Sequence, residues 1–120
     1  MTEYKLAEIE SKFVEIIWEN EPIYSGDLVK LCNKELNWKK STTYTVLRKL
    51  CQRGILQNND ALVTSLIKRD EFYSLQSKQF VDETFNGSLP KFVAAFTRST
   101  KLNEKEIKDL LKLINEHKEV

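Results

Sequence analysis

Apolar residues recur along this chain with two different periods, and each change of period marks an element. Ile9, Phe13, Ile16 and Ile17 share one helical face, which predicts a first helix running to about Trp18. The stretch Glu19-Asn20-Glu21-Pro22 breaks it. A second helix starts at Tyr24 or Ser25, carries Leu28, Leu31, Cys32 and Leu36 inward, and ends at Asn37-Trp38. A third begins near Lys40, with Thr43, Val46, Leu47, Leu50 and Cys51 on its buried side. Gly54 closes it, where a left-handed residue is wanted. Two short apolar runs then flank Asn58-Asn59-Asp60, residues that tolerate positive φ, so a β-hairpin is expected. Three helices followed by a hairpin predict a winged helix-turn-helix over residues 1–67, with the hairpin as the wing.

From about Arg69 the helical period returns. Phe72, Tyr73, Leu75, Phe80, Val81 and Phe85 define a broad aromatic face, interrupted at Asn86-Gly87-Ser88. Pro90 sits in the first turn of the next helix, where its missing N–H costs little. Leu89, Phe92, Val93 and Phe96 line that helix. Asn103 with Glu106 forms a capping pair for a last helix, whose stripe is Ile107, Leu110, Leu111 and Ile114. Three separate apolar stripes in residues 68–120 need partners. Packing onto the winged domain alone is one solution; pairing with a second copy is the expectation here. The fold class is thus mainly α (α+β), a winged helix-turn-helix domain followed by a helical dimerisation region.

Composition adds a boundary rather than a function. The chain has 120 residues, with 41% hydrophobic and 31% charged content, as a folded protein should. No apolar run approaches the roughly 20 residues that span a bilayer, and the start Met1-Thr2-Glu3-Tyr4 lacks a signal peptide's regions. A cytoplasmic protein without membrane insertion is expected. Cys32 and Cys51 lie on inward helical faces, as reduced core thiols or a redox pair. Their spacing fits no zinc motif, and the single histidine, His117, lies in a charged tail. Neither a metal nor a cofactor is expected.

Charge changes the picture more. The formal net charge is only +1, yet between Glu35 and Asp60 there is no acidic residue, while Lys39, Lys40, Arg48, Lys49 and Arg53 fall in that window. Placing Thr43, Val46, Leu47 and Leu50 inward turns Ser41, Thr42, Tyr44, Thr45, Arg48, Lys49 and Gln52 outward. In a helix-turn-helix the N-terminal part of the third helix faces base edges. Ser41, Thr42 and Thr45 supply hydrogen bonds and threonine methyls, and Tyr44 a phosphate or apolar contact. Arg48 is the candidate for a bidentate guanine contact. Lys39 and Lys40 precede the helix and suit backbone phosphates. From Gln57 to Leu66 the wing has no Lys or Arg, so Gln57, Asn58 and Asn59 are its candidate contacts, and a purely structural hairpin is the alternative. Double-stranded operator DNA is the expected partner.

The stretch Trp38 … Ser41-Thr42-Thr43-Tyr44-Thr45-Val46-Leu47-Arg48-Lys49-Leu50 … Gly54, the earlier Glu10 … Ile16-Ile17-Trp18 and the later Phe85-Asn86-Gly87-Ser88-Leu89 resemble the penicillinase-repressor (BlaI/MecI/CopY) family. The resemblance covers nearly the whole chain in order. It implies a bacterial repressor, a homodimer binding a palindromic operator of the TACA…TGTA kind, and control of β-lactam resistance genes. It also implies release by proteolysis in the C-terminal region, through a membrane-bound sensor protease system. The bond matching the family's cleaved one is Ala95-Phe96, with Ala95 in place of the common asparagine. Ala7 stands where a serine or threonine cap is usual, Ser11 replaces a common tryptophan, and Lys49 replaces an arginine. The copper-sensing branch carries a C-terminal cysteine cluster, which this chain lacks.

Three other functions compete with this reading. A winged helix used for protein contact predicts an apolar patch on the third helix, where mostly polar residues stand. A regulator relieved by a small-molecule ligand leaves little trace in a sequence. An enzyme is disfavoured, because no Gly-rich phosphate loop and no nucleophile–base pair is present.

Overall fold

In the computed structural model, which describes residues 3–118, the element order is α1 (Glu8–Asn20), β1 (Ile23–Tyr24), α2 (Ser25–Leu36), α3 (Lys40–Gln52), β2 (Leu56–Asn59), β3 (Leu62–Ser65), α4 (Arg69–Phe85), α5 (Leu89–Ser99) and α6 (Glu104–Lys118). Met1, Thr2, Glu119 and Val120, at the two ends discussed above, lie outside the described residues. The chain divides into two compact units, Met1–Gln79 and Phe80–Val120. The division falls inside α4 rather than at residue 67.

The first unit is a winged helix-turn-helix. Its core gathers Phe13, Val14 and Ile17 of α1, Leu28 and Cys32 of α2, and Leu47 and Leu50 of α3, closed by Ile55, Leu56 and Val63. Ile9 is an exception to the expected stripe: it is exposed, because α1 turns the Glu10, Phe13, Val14 and Ile17 face inward. The hairpin is antiparallel, with Leu56 opposite Ser65 and Asn59 opposite Leu62. Its turn is Asp60-Ala61, both at positive φ (51° and 70°), so Asn58 and Asn59 belong to β2 and not to the turn. Two consecutive positive-φ residues match the strand twist in a two-residue hairpin. The short β1 pairs with β3, Ile23 opposite Val63, giving a three-stranded sheet in the order β1-β3-β2. Two residues cannot show a period, which hid β1 in the sequence.

α4 does not present one aromatic face. Phe72 is fully buried and packs against Trp18 and Tyr4, with centroids 5.6 and 5.8 Å away. Burying a phenylalanine side chain contributes about 1.5–3 kcal/mol, and here that stabilises the winged unit. Phe72 is therefore corrected from dimer residue to core residue. Tyr73 is also committed to α1: its hydroxyl donates to Glu15 Oε1 at 2.7 Å and its ring meets Trp18 edge-on. Arg69 donates to Glu15 Oε2 at 2.6 Å and lies over the Trp18 ring, while the Trp18 indole N–H donates to the Ile67 carbonyl. Glu21 accepts from the Ser65 N–H and hydroxyl and from Lys68 Nζ, which ties the end of α1 to the end of the wing.

In the second unit Phe80, Phe85 and Phe92 meet edge to face with centroids 5.6–6.0 Å apart, and Phe96 lies 6.2 Å from Phe92. Asn86 and Gly87 at positive φ end α4, with the Gly87 N–H on the Val81 carbonyl. The Ser88 hydroxyl accepts from the Lys91 N–H and caps α5. Asn103 and Glu106 cap α6 reciprocally, at 2.8 and 3.1 Å. Neither α5 nor α6 buries a residue: Leu89, Val93, Phe96, Ile107, Leu110, Leu111 and Ile114 are exposed, as is Leu113 at 63%, an apolar residue outside the expected stripe. No helix among the described residues is long and apolar enough to cross a membrane.

Candidate nucleic-acid interface

Thr43, Leu47 and Leu50 are buried on α3, which fixes the rotation of the helix. At 3.6 residues per turn, Ser41, Thr45, Arg48 and Gln52 then run down the centre of the opposite, exposed face, flanked by Thr42. The start of the helix is open. Lys39 is its N-cap and offers no side-chain acceptor, and the first turn holds no acidic residue. The free N–H groups and the helix dipole thus add to the positive field of Lys39 and Lys40.

Thr45 donates its hydroxyl to the Ser41 carbonyl at 2.8 Å. A hydroxyl has one donor proton and two acceptor sites. Thr45 thus presents an acceptor and a methyl to a ligand, whereas the Ser41 and Thr42 side chains remain exposed.

Tyr44 is half-buried and donates its hydroxyl to Ser25 Oγ at 3.1 Å, across the seam between α3 and α2. Its position is that of a residue setting the angle between the two helices. Tyr24, beside Ser25, is 60% exposed. It presents an aromatic ring next to this seam, which its place at a helix start does not reveal in the sequence.

The five cations of the acid-free window separate into two groups. Lys39, Lys40 and Arg48 are exposed and form no ion pair among the described residues. Lys49 turns to α1, its Nζ 2.8 Å from Glu10 Oε2, and Arg53 Nη1 lies 3.8 Å from Glu10 Oε1. Glu10 is 7% exposed. The hydrogen bond from Lys49 holds its carboxyl below the usual carboxylate range against the opposing effect of burial, helped by the Ala7 N–H and the charge of Arg53. A buried carboxylate needs such partners. Lys49, expected on the DNA-facing side, is exposed but shares its charge with Glu10, whereas Lys39, Lys40 and Arg48 do not. The signal was present in the sequence: Glu10 shares the helical face of Phe13, Val14 and Ile17, and a carboxylate there calls for a cation.

Asn58 and Asn59 are exposed on β2, which is an edge strand, and no hydrogen bond occupies their side chains among the described residues. Asp60 follows at the turn, so the wing tip carries a negative charge. Both cysteines are free. Burial pushes the Cys32 thiol up to about 11 and raises that of Cys51, the opposite of what a reactive thiol needs. Among the described residues no cluster of His, Cys, Asp or Glu could hold a metal ion. What this surface offers is hydrogen-bonding groups and positive charge on one exposed helical face.

A family model described as Penicillinase repressor matches residues 6–116. The chain is 25% identical over 118 residues to the penicillinase repressor of Bacillus licheniformis, covering 95% of this chain and 92% of that protein. It is 22% identical over 116 residues to the methicillin resistance regulatory protein MecI of Staphylococcus aureus strain Mu50, covering 93% and 94%. A penicillinase repressor of Staphylococcus aureus is 25% identical over 105 residues, covering 84% and 83%.

Proposed function

The chain belongs to the penicillinase repressor family, whose named relatives are transcriptional regulators rather than enzymes, and we propose that it is a dimeric, cytoplasmic repressor reading a palindromic operator of the TACA…TGTA kind through α3 of each protomer. One observation carries the reading: the exposed face of α3 brings Ser41, Thr42, Thr45 and Arg48 together beside the exposed Lys39 and Lys40. Hydrogen-bonding groups on a helix with a positive N-terminal end suit a major groove and its flanking phosphates. The regulated genes in this reading are β-lactam resistance genes, as the names of the relatives suggest.

The exposed apolar stripes of α5 and α6, with Phe80, Phe85 and Phe92 behind them, support a second copy of this chain as their partner. Isologous pairing of the same stripes gives the two-fold symmetry that a palindrome requires. Release follows cleavage at Ala95-Phe96 by a membrane-bound sensor protease system. That bond lies in the middle of α5, so cleavage requires α5 to unwind locally, and it cuts away α6 with part of the dimer surface.

Footprinting the purified protein on the DNA upstream of its own gene tests the reading. Protection of two inverted half-sites is the expected result; absence of any sequence preference over random DNA overturns it. Immunoblotting after β-lactam exposure is expected to show a shortened chain, and an intact chain throughout derepression rules out the proteolytic step.

A further inference from the structure

The segment before α1 is extended, and it joins two elements that are otherwise far apart in the chain. Its Glu3 and Lys5 carbonyls both accept from Arg53 Nη2, at 3.0 and 2.7 Å, one residue beyond the end of α3. Between them the Tyr4 N–H donates to Gln79 Oε1 on α4 at 2.9 Å, and the Tyr4 ring meets Phe72 edge-on. Leu6 packs partly buried against the core. Alternate residues of one extended segment thus face α3 and α4, as the two-residue period of such a backbone dictates. Arg53 is well placed for this: a planar fork with several donors can hold two carbonyls and a carboxylate together. The side chain is 24% exposed, with Nη2 on the two carbonyls and Nη1 facing Glu10.

α4 is the element through which the chain passes into the second unit. We propose that residues 3–6 act as a strap coupling α3 to α4, and that Arg53 is a positioning residue setting which half-site spacing the dimer accepts. This rests on the dimeric operator-reading function above. The reading face of α3 and the apolar stripes are untouched by the strap. Loss of the strap loosens the relation between reading and pairing, and it leaves each of them intact.

The test uses the full-length chain, as wild type and as Arg53→Ala, Arg53→Lys and Gln79→Ala. Each binds a single half-site duplex and palindromes whose central spacer is shortened or lengthened by one or two base pairs. A linked pair of sites loses its advantage when geometry forbids simultaneous contact, so wild type is expected to drop about 10-fold or more off the preferred spacing. Arg53→Ala and Gln79→Ala are expected to flatten that profile to within about 3-fold, with half-site affinity within about 2-fold of wild type. Lysine keeps the charge but not the fork, so Arg53→Lys is expected to behave as Arg53→Ala. Equal loss on half-site and palindrome with Arg53→Ala, rescued by lysine, makes Arg53 a phosphate contact and overturns the proposal. An unchanged spacing profile in both Arg53→Ala and Gln79→Ala also overturns it. A wild-type chain with no preference for a palindrome over a half-site overturns the dimeric reading itself, and the strap with it.

Discussion

The Tyr44 hydroxyl donates to Ser25 Oγ at 3.1 Å, so a residue on the flank of the reading helix is held by the helix before it. Tyr44→Phe keeps the ring and removes this link. The expected loss of stability is about 0.5–1.5 kcal/mol, the worth of one such hydrogen bond. Because Tyr44 positions α3 against α2, its loss weakens all operators alike. A denaturation series together with binding to single-base operator variants checks both parts; a changed base preference assigns Tyr44 to reading instead.

Arg48 and the lysines before α3 differ in what they contribute. Arg48→Ala is expected to cost about 1–3 kcal/mol on the cognate operator and to relax preference at one base pair. Lys39→Ala and Lys40→Ala are expected to weaken all DNA similarly and to lower the salt slope by about 1 each. Lys49→Ala, by contrast, leaves Glu10 without its closest cation, and the expected effect is lower stability with an almost unchanged salt slope. Titrations at several salt concentrations separate the three behaviours.

Stability is expected to fall in acid. The Lys49 hydrogen bond lowers the Glu10 carboxyl. Burial acts to raise Glu15 and Glu21, but hydrogen bonds from Arg69 and Tyr73, and from Ser65 and Lys68, outweigh it. Depressed carboxylates contribute stability that is fully present above their ordinary value near ~4.3 and lost as pH falls through the lower folded value. Chemical denaturation at pH 7, 5 and 3 is expected to show little change in the first step and a marked loss in the second. Glu10→Gln is expected to be less stable at pH 7 and to show a shallower acid loss.

The α6 stripe gives a direct test of association. Leu111→Asp places a charge among Ile107, Leu110 and Ile114, all exposed within one chain. Charged groups at the centre of an interface are strongly disfavoured. Sedimentation is expected to move the mass from twice 14.1 kDa to 14.1 kDa, with an unchanged melting transition for the winged unit. A variant that still sediments as a dimer removes α6 from the interface. Phe72→Ala is expected to do the opposite, destabilising the winged unit by about 3–5 kcal/mol as buried phenylalanines do while leaving association in place.

The sequence by itself determined what depends on neighbours a few residues apart. Helical and strand periods located α1–α6 and the hairpin, Gly54 and Gly87 took the positive φ that ends α3 and α4, and Asn103 with Glu106 announced the start of α6. These are local because each is decided by backbone sterics or by one turn of hydrogen bonds. Only the tertiary structure decided which charges are free and which apolar residues are available. Lys49 and Arg48 are adjacent, alike in sequence and both exposed, yet only Lys49 reaches Glu10 on another helix, and Arg48 has no ion-pair partner among the described residues. Phe72 and Phe80 share one aromatic run, yet the first is sealed by Trp18 and Tyr4 and the second is half-exposed. The hold of Arg53 on Glu3 and Lys5 spans most of the winged unit. Partners so far apart in the chain meet only once the core has formed, and no local period encodes them.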